Sequence, residues 1–269
     1  MSRIERSRKA EAEAKLGAIN WYDEALYYDV LCSWDPGTER EFVLGASERW
    51  GIAQPQRILE PFCGSGRLLR CMPETAIGFD LNPAMVRYAA QQSLVFRADA
   101  GRFAVRAGSF DLALCLIDSF RHLTTQQAAL GHMRSIASAL RPGAVYVLGL
   151  DVTGGMQADT STEDWEMTRG DVRVAGRVGG LGDVDPNTRI ETMRVQLDIR
   201  DRGKRRKIES FQPLRVYSAQ DLQDLFREEG SFEAVACFDR RYNLEDPRPL
   251  DSIRGSAVLV LRRKQRDCR

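Results

Sequence analysis

The sequence predicts an α/β fold: a seven-stranded, mostly parallel sheet with helices on both faces and an antiparallel β insertion. Three observations carry that prediction. Short apolar segments alternate with helix-forming ones between residues 56 and 151, a spacing that requires crossover units and hence parallel strands. Two of the segments, FDLALCLI (110–117) and AVYVLGLD (144–151), are apolar without alternation, as strands covered on both faces are. After Gly154 the texture changes. DVRVAGRV, TRIETMRVQLDIR and KRRKIESFQPLRVY alternate strongly between turn residues, which predicts an antiparallel meander inserted at about 165–216.

The elements follow in order. Residues 1–18 are polar and charged, a helix-forming segment that frays in isolation. WYDEALYYDVLCSW then places aromatic residues at 21, 22, 27, 28 and 34 around two Tyr-Asp pairs. Residues 1–50 are expected to form a helical cap on a domain spanning 51–269. A helix is expected over 38–51, stopped by Gly51. QRILEPF (56–62) reads as the first strand, LLRCM as a helix and TAIGFD (75–80) as the second strand. NPAMVRYAAQQ reads as a helix with Asn82 as N-cap and Pro83 at its first position. LVFRAD (94–99) is the third strand, and the stretch from Thr124 to Leu140 is a helix ended by Arg-Pro-Gly. SAQDLQDLFREEG returns to helix between Ser218 and Gly230, and FEAVACFD and SAVLVLRRK complete the sheet.

Composition narrows the function. With 43% hydrophobic residues over 269 positions the chain can build a sizeable core. Lys and Arg total 39 against 38 Asp and Glu, so global charge gives no case for a nucleic-acid or anionic-membrane partner. No apolar run approaches the roughly 20 residues of a membrane span. The opening MSRIERSRKAEAEAKLGA lacks the apolar stretch of a secretory signal, so a cytoplasmic location is expected. Six cysteines without a CxxC pair, and only two histidines, predict no metal site and reduced, packing thiols.

The informative segment is ILEPFCGSGR (58–67). Gly64 and Gly66 let a strand turn sharply into a helix and expose backbone N–H groups at that helix's positive end. Alone, such a loop serves a tight turn as well as a ligand. Asp80 strengthens the ligand reading. It ends the second strand about 20 positions beyond Glu60, where a carboxylate can accept hydrogen bonds from ribose hydroxyls. Adenosine is therefore the expected part of the ligand. The dinucleotide pattern GxGxxG is incomplete, with Leu69 at the third glycine, and the phosphate loop GxxxxGK[ST] is absent.

The pattern ILExFCGSGR…GFD, with Asp99 ending the third strand, resembles the class I S-adenosylmethionine-dependent methyltransferase family. The likeness covers 57–151 and extends more loosely to the Tyr-Asp region and to LRVYS…SFEAV. It is greatest to the small-molecule members, in which Tyr-Asp segments cap the cofactor and a β-rich insertion covers the substrate. The resemblance implies a Rossmann-like sheet, S-adenosyl-L-methionine as cofactor, and in-line methyl transfer to a small-molecule nitrogen or oxygen; a homodimer is left open. It implies that Glu60, Cys63, Gly64 and Gly66 border the methionine part, with Arg67 near its carboxylate. Asp80 would hold the ribose, Leu81 and Met85 would pack beside the adenine, and Asp99 with Ala100 would read its edge. Cys115, Leu116 and Ile117 would close the pocket, with Tyr22 and Tyr28 capping it. Asp118-Ser119-Phe120-Arg121-His122 resembles the family's N-S-x-x-H segment, with Asp118 in place of Asn.

His122, with an ordinary pKa near 6.5, and Asp118 are the candidate bases. His132, inside the following helix, is expected to be structural and half-exposed. Met85, Leu81 and Cys115 read equally as core, and the Tyr-Asp pairs equally as anchors. The basic turn Arg200–Lys207 reads as a solvated hairpin tip. One rival is a nucleic-acid methyltransferase, because EPFCGSG resembles the DPFCGSG loop of amino-methylating enzymes. Those enzymes use [DN]PPY after the fourth strand, whereas CLIDSFRH offers neither proline nor tyrosine to grip an extruded base. Leu69 disfavours a nicotinamide oxidoreductase. A non-catalytic adenosine-ligand-binding protein shares the scaffold.

Overall fold

The computed structural model describes residues 20–154 and 161–265, so the helix expected over 1–18 lies outside the described residues. A 3-10 turn, Trp21–Asp23, leads into α1 (Ala25–Leu31) and α2 (Gly37–Trp50). Then follow β1 (Ile58–Pro61), β2 (Ile77–Asp80), α3 (Pro83–Ala89), β3 (Leu94–Arg97), β4 (Phe110–Cys115), α4 (Gln126–Ala139) and β5 (Leu140–Thr153). The insertion supplies β6 (Thr162–Arg169), β7 (Val172–Val184), β8 (Ile190–Asp201) and β9 (Lys204–Arg215). The chain closes with β10 (Tyr217–Ser218), α5 (Ala219–Glu229), β11 (Phe232–Asp239) and β12 (Gly255–Arg263).

Seven strands form the central sheet in the order β11-β12-β5-β4-β1-β2-β3, and the two-residue β10 pairs with the end of β5. β3, β2, β1, β4 and β5 run parallel; β12 is antiparallel to β5 and to β11. The chain moves outward from β1 to β3, then returns to β4 on the other side of β1. That reversal opens a crevice at the carboxyl ends of β1 and β4, where parallel sheets bind ligands.

Every residue of β1 and β4 is buried, and the side chains at 58–59 and 112–115 alternate between two cores. Leu112 and Leu114 join Ile58 and Val147 under Phe42, Val43 and Ala46 of α2. Ala113 and Cys115 join Leu59 and Tyr146 under Leu130, Met133 and Ile136 of α4 and Leu222 and Leu225 of α5. Each fully buried Leu or Ile contributes about 1.5–3 kcal/mol, so continuous apolar runs are stable only with helices on both faces.

Two expectations are corrected. LLRCM is not an α-helix: among the described residues, only a 3-10 turn, Leu69–Cys71, lies between β1 and β2. Pro73 forces Met72 into extended backbone, which leaves too few residues for a stable helix. The segment lies flat on the sheet instead. A Cβ on Gly78 would sit 2.4 Å from Leu69 Cδ1 and 2.7 Å from Cys63 Cβ. The insertion has four strands rather than three. β6, which sequence alone did not reveal, is a largely exposed edge strand whose charged residues hide its alternation. This second sheet, β6-β7-β8-β9, packs Val174, Val195, Leu197 and Ile199 against Trp21, Val30 and Leu31.

Candidate active site

The turn after β1 uses left-handed backbone at Phe62 (φ 56°), Gly64 (φ 52°) and Gly66 (φ 80°). Three of its amides are spent internally. Cys63 N–H donates to the Phe79 carbonyl (3.0 Å), Gly66 N–H to the Cys63 carbonyl (2.9 Å) and Gly64 N–H to Asp80 Oδ2 (3.0 Å). With these three amides used and only a 3-10 turn following, the loop has less of the outward N–H array and none of the α-helix dipole that a pyrophosphate needs.

What surrounds the loop is acid. Glu60 is 9% exposed, its Oε2 has no hydrogen-bond partner, and burial pushes its carboxyl up to about 8, against the pull of Arg67. Burial also raises Asp80, although the Gly64 and Asn82 amides (3.0 and 2.8 Å) favour its charged form. A cationic or zwitterionic nucleoside suits this cradle better than a phosphate does.

Arg67 does not face the crevice with a free guanidinium. Its two terminal nitrogens donate to Glu39 (2.7 and 2.8 Å), and its carbon lies 4.4 Å from the Trp34 ring centroid. A buried carboxylate such as Glu39 demands a partner, so Arg67 clamps α2 to the loop.

The cap segment covers the cradle. Tyr28 stands over Gly64, where an added Cβ would lie 3.5 Å from Tyr28 Cε1. Tyr22 packs between Trp21 (4.8 Å between centroids) and Tyr28 (5.7 Å), and its hydroxyl is 2.9 Å from His122 Nε2. A ligand lying on the main chain at Gly64 therefore requires Tyr28 to swing aside. Asp29 holds the cap down. Its carboxylate accepts from Arg70 (2.8 Å), Arg169 (2.6 Å) and the Tyr88 hydroxyl (2.9 Å), tying α1 to the loop segment, β6 and α3. The sequence reading missed this role, although Asp29 is the acid of the second Tyr-Asp pair.

Beyond β4 the backbone is left-handed at two successive non-glycine residues, Ile117 (φ 58°) and Asp118 (φ 65°). Strain of this kind collects at functional sites. Asp118 accepts from Arg121 Nη1 (2.7 Å) and from the Asp151 amide (2.8 Å), yet burial pushes its carboxyl up to about 7. Arg121 also pairs with Glu191 and lies 3.8 Å from Asp151, so three carboxylates share one buried guanidinium. Glu191 Oε2 has no hydrogen-bond partner. His122 departs from the expected value near 6.5: burial, helped by Arg121, lowers it to about 4 and leaves the ring neutral at pH 7.

The remaining candidates divide by exposure. Leu81 (56% exposed) and Ile117 (46%) present free apolar faces, whereas Met85 (1%), Cys115 and Leu116 are packed inside. Asp99 is exposed and accepts from the Gly101 amide (2.8 Å), and Ala100 beside it is buried. His132, expected to be half-exposed, is fully buried. The basic turn at Arg200–Lys207 is largely exposed, with Arg206 paired to Glu24.

Residues 58–143, which contain the loop, Asp80, Asp99 and the Asp118–His122 turn, match the family described as a methyltransferase domain. Over this stretch the chain carries a methyltransferase domain. Solved structures share the fold of this chain across nearly its whole length. DesVI from Streptomyces venezuelae is 17% identical at a TM-score of 0.71, over 90% of this chain and 98% of that one. The sugar N-methyltransferase KedS8 from Streptoalloteichus sp. is 19% identical at 0.69, over 90% and 92%. The amino pentose methyltransferase CalS10 from Micromonospora echinaspora, solved with S-adenosylmethionine, is 19% identical at 0.63, over 95% and 96%. No curated protein sequence matches the chain significantly. Among its described residues no helix is long and apolar enough to cross a membrane.

Proposed function

We propose that the chain is an S-adenosylmethionine-dependent methyltransferase that methylates a nitrogen or oxygen of a small molecule, with an amine nitrogen favoured. The observation that carries the reading is the unpartnered Oε2 of buried Glu60 beside the Gly64–Asp80 contact, a place suited to an ammonium next to a ribose. Glu60 takes the ammonium of the methionine part, Asp80 the ribose hydroxyls, and Asp99 with Ala100 the adenine edge. Cys63, Gly64 and Gly66 form the floor, Leu81 and Ile117 the apolar walls, and Met85, Cys115 and Leu116 back them from inside. Tyr22 and Tyr28 exclude water as part of a cap formed by residues 20–50.

The bound cofactor supplies a methyl group already activated on a sulfonium. The chain's own residues therefore have mainly to orient the acceptor, which is worth up to roughly 7–11 kcal/mol in well-aligned cases. Asp118, near 7, receives the acceptor proton better than His122, which acts as a neutral partner of Tyr22. The surplus of carboxylates at Asp118, Asp151 and Glu191 over Arg121 favours a cationic acceptor. The sugar N-methyltransferase and amino pentose methyltransferase that share the fold are consistent with an amine. Calorimetric titration with S-adenosylmethionine and with NAD, followed by methyl-transfer assays on amines, hydroxy acids, phenols and tRNA, tests the reading. Binding of the first ligand alone and transfer to amines is the expected result; binding of NAD, or transfer only to tRNA, overturns it.

A further inference from the structure

His132 sits where three of the loops that build the site converge. Its ring lies 5.7 Å from Phe62 in the β1 loop, 6.2 Å from Phe103 after β3 and 5.4 Å from Phe120 after β4, centroid to centroid. Its nitrogens are both engaged. The Ala100 carbonyl can only accept, so Nδ1–H donates to it (2.9 Å), and Nε2 in turn accepts from the Tyr146 hydroxyl (2.8 Å). Tyr146 and Cys115 belong to the same buried cluster, so packed contacts continue from the loop after β3 to the end of β4.

The preceding residue reinforces this registration. A Cβ on Gly131 would lie 2.3 Å from the Gly101 carbonyl oxygen, so α4 meets the loop main chain without any side chain between them. Two adjacent residues of α4 thus fix two adjacent carbonyls of the loop carrying Asp99. Generic core packing needs an apolar side chain at position 132. A neutral imidazole with both nitrogens satisfied in a cage of aromatic rings holds a direction, and the direction it holds is that of the Ala100 peptide.

We propose that His132 is a positioning residue that sets the adenine-reading edge at Asp99 and Ala100 through the Ala100 carbonyl. The proposal rests on the S-adenosylmethionine reading above. It adds a residue that touches neither cofactor nor acceptor.

The test compares His132→Phe, which keeps the packing and loses both hydrogen bonds, with His132→Asn, whose amide can still reach toward the Ala100 carbonyl. Each variant and the parent is titrated with S-adenosylmethionine and with methylthioadenosine, which has the adenine and ribose but no ammonium. His132→Phe is expected to weaken both ligands by about tenfold, the scale of one buried hydrogen bond, with His132→Asn recovering part of the loss. Glu60→Gln is expected to weaken S-adenosylmethionine alone. In turnover assays, the KM for cofactor should rise in His132→Phe while kcat at saturation stays close to the parent's. Equal affinities in parent and His132→Phe, or a fall in kcat with KM unchanged, overturn the proposal. If His132→Phe does not fold, Gly131→Ala in place of it must show the same joint weakening of both ligands, and its failure to do so also overturns the proposal. Failure of the parent itself to bind S-adenosylmethionine rejects the cofactor reading instead.

Discussion

At the scale of single residues, the proposed chemistry rests on Glu60 and Asp118 and their displaced acidities. Glu60, near 8 in the free protein, is largely protonated at pH 7 and must ionise to hold an ammonium. Cofactor binding at pH 7 should therefore release close to one proton, measurable by calorimetry in buffers of different ionisation enthalpy. Affinity should weaken by up to about tenfold per unit as pH falls below 8. For stability the sign is reversed. Because the folded value lies above the unfolded one, the Glu60 contribution is complete below about 4.5 and is lost as pH rises through about 8. Glu60→Gln should thus melt higher than the parent at pH 8.5 while binding S-adenosylmethionine more weakly; a lower melting temperature there contradicts the assignment. Asp118, near 7, should impose an acid limb on kcat, and His122, near 4, none between pH 5 and 8. Asp118→Asn should remove that limb and lower kcat by about 100-fold or more. Asp118 was legible in the sequence as a candidate from its place after the fourth strand, and Glu60 through the family resemblance. Their acidities were not, because burial is set by the cap and the insertion rather than by neighbouring sequence.

At the scale of elements, the close approach of α4 to the loop after β3 is the tightest constraint. Gly131→Ala pushes a methyl group into the Gly101 carbonyl and should cost about 1–3 kcal/mol, as overpacking does. In a chain of this size that lowers the melting temperature by about 2–4 °C per kcal/mol, readable by thermal unfolding. Strands buried on both faces, the caps at Asn82 and Ser218, and the left-handed Gly230 were all readable from local sequence. The segment after Gly66 was not. Its apolar residues have helical spacing, but Pro73 and the close packing of Leu69 over Gly78 override that propensity. β6 escaped detection because an exposed edge strand carries no apolar face to reveal its period.

At the scale of the whole molecule, one cap is held between the loop segment after β1 and the second sheet. Asp29 joins it to Arg70 beside the loop and to Arg169 of β6, 140 positions away in sequence. Pairing over such a separation cannot be read from spacing, nor could the commitment of Arg67 to Glu39. Removing a buried partner of this kind costs about 3–5 kcal/mol. Asp29→Ala should accordingly speed hydrogen exchange across residues 20–50 more than across β4 and β5. Tyr28, standing over Gly64, should limit how fast the cofactor arrives, so Tyr28→Ala should raise the association rate in stopped-flow measurements, and an unchanged rate contradicts its gating role. The claim on which all of this depends is that the acidic turn between β1 and β2 grips a sulfonium nucleoside. It is tested most directly by titrating S-adenosylmethionine at pH 8 into the parent and into Asp80→Ala. The account expects saturable one-to-one binding in the parent and a loss of about tenfold or more in the variant. It is contradicted by equal affinity in the two proteins, or by no binding to the parent.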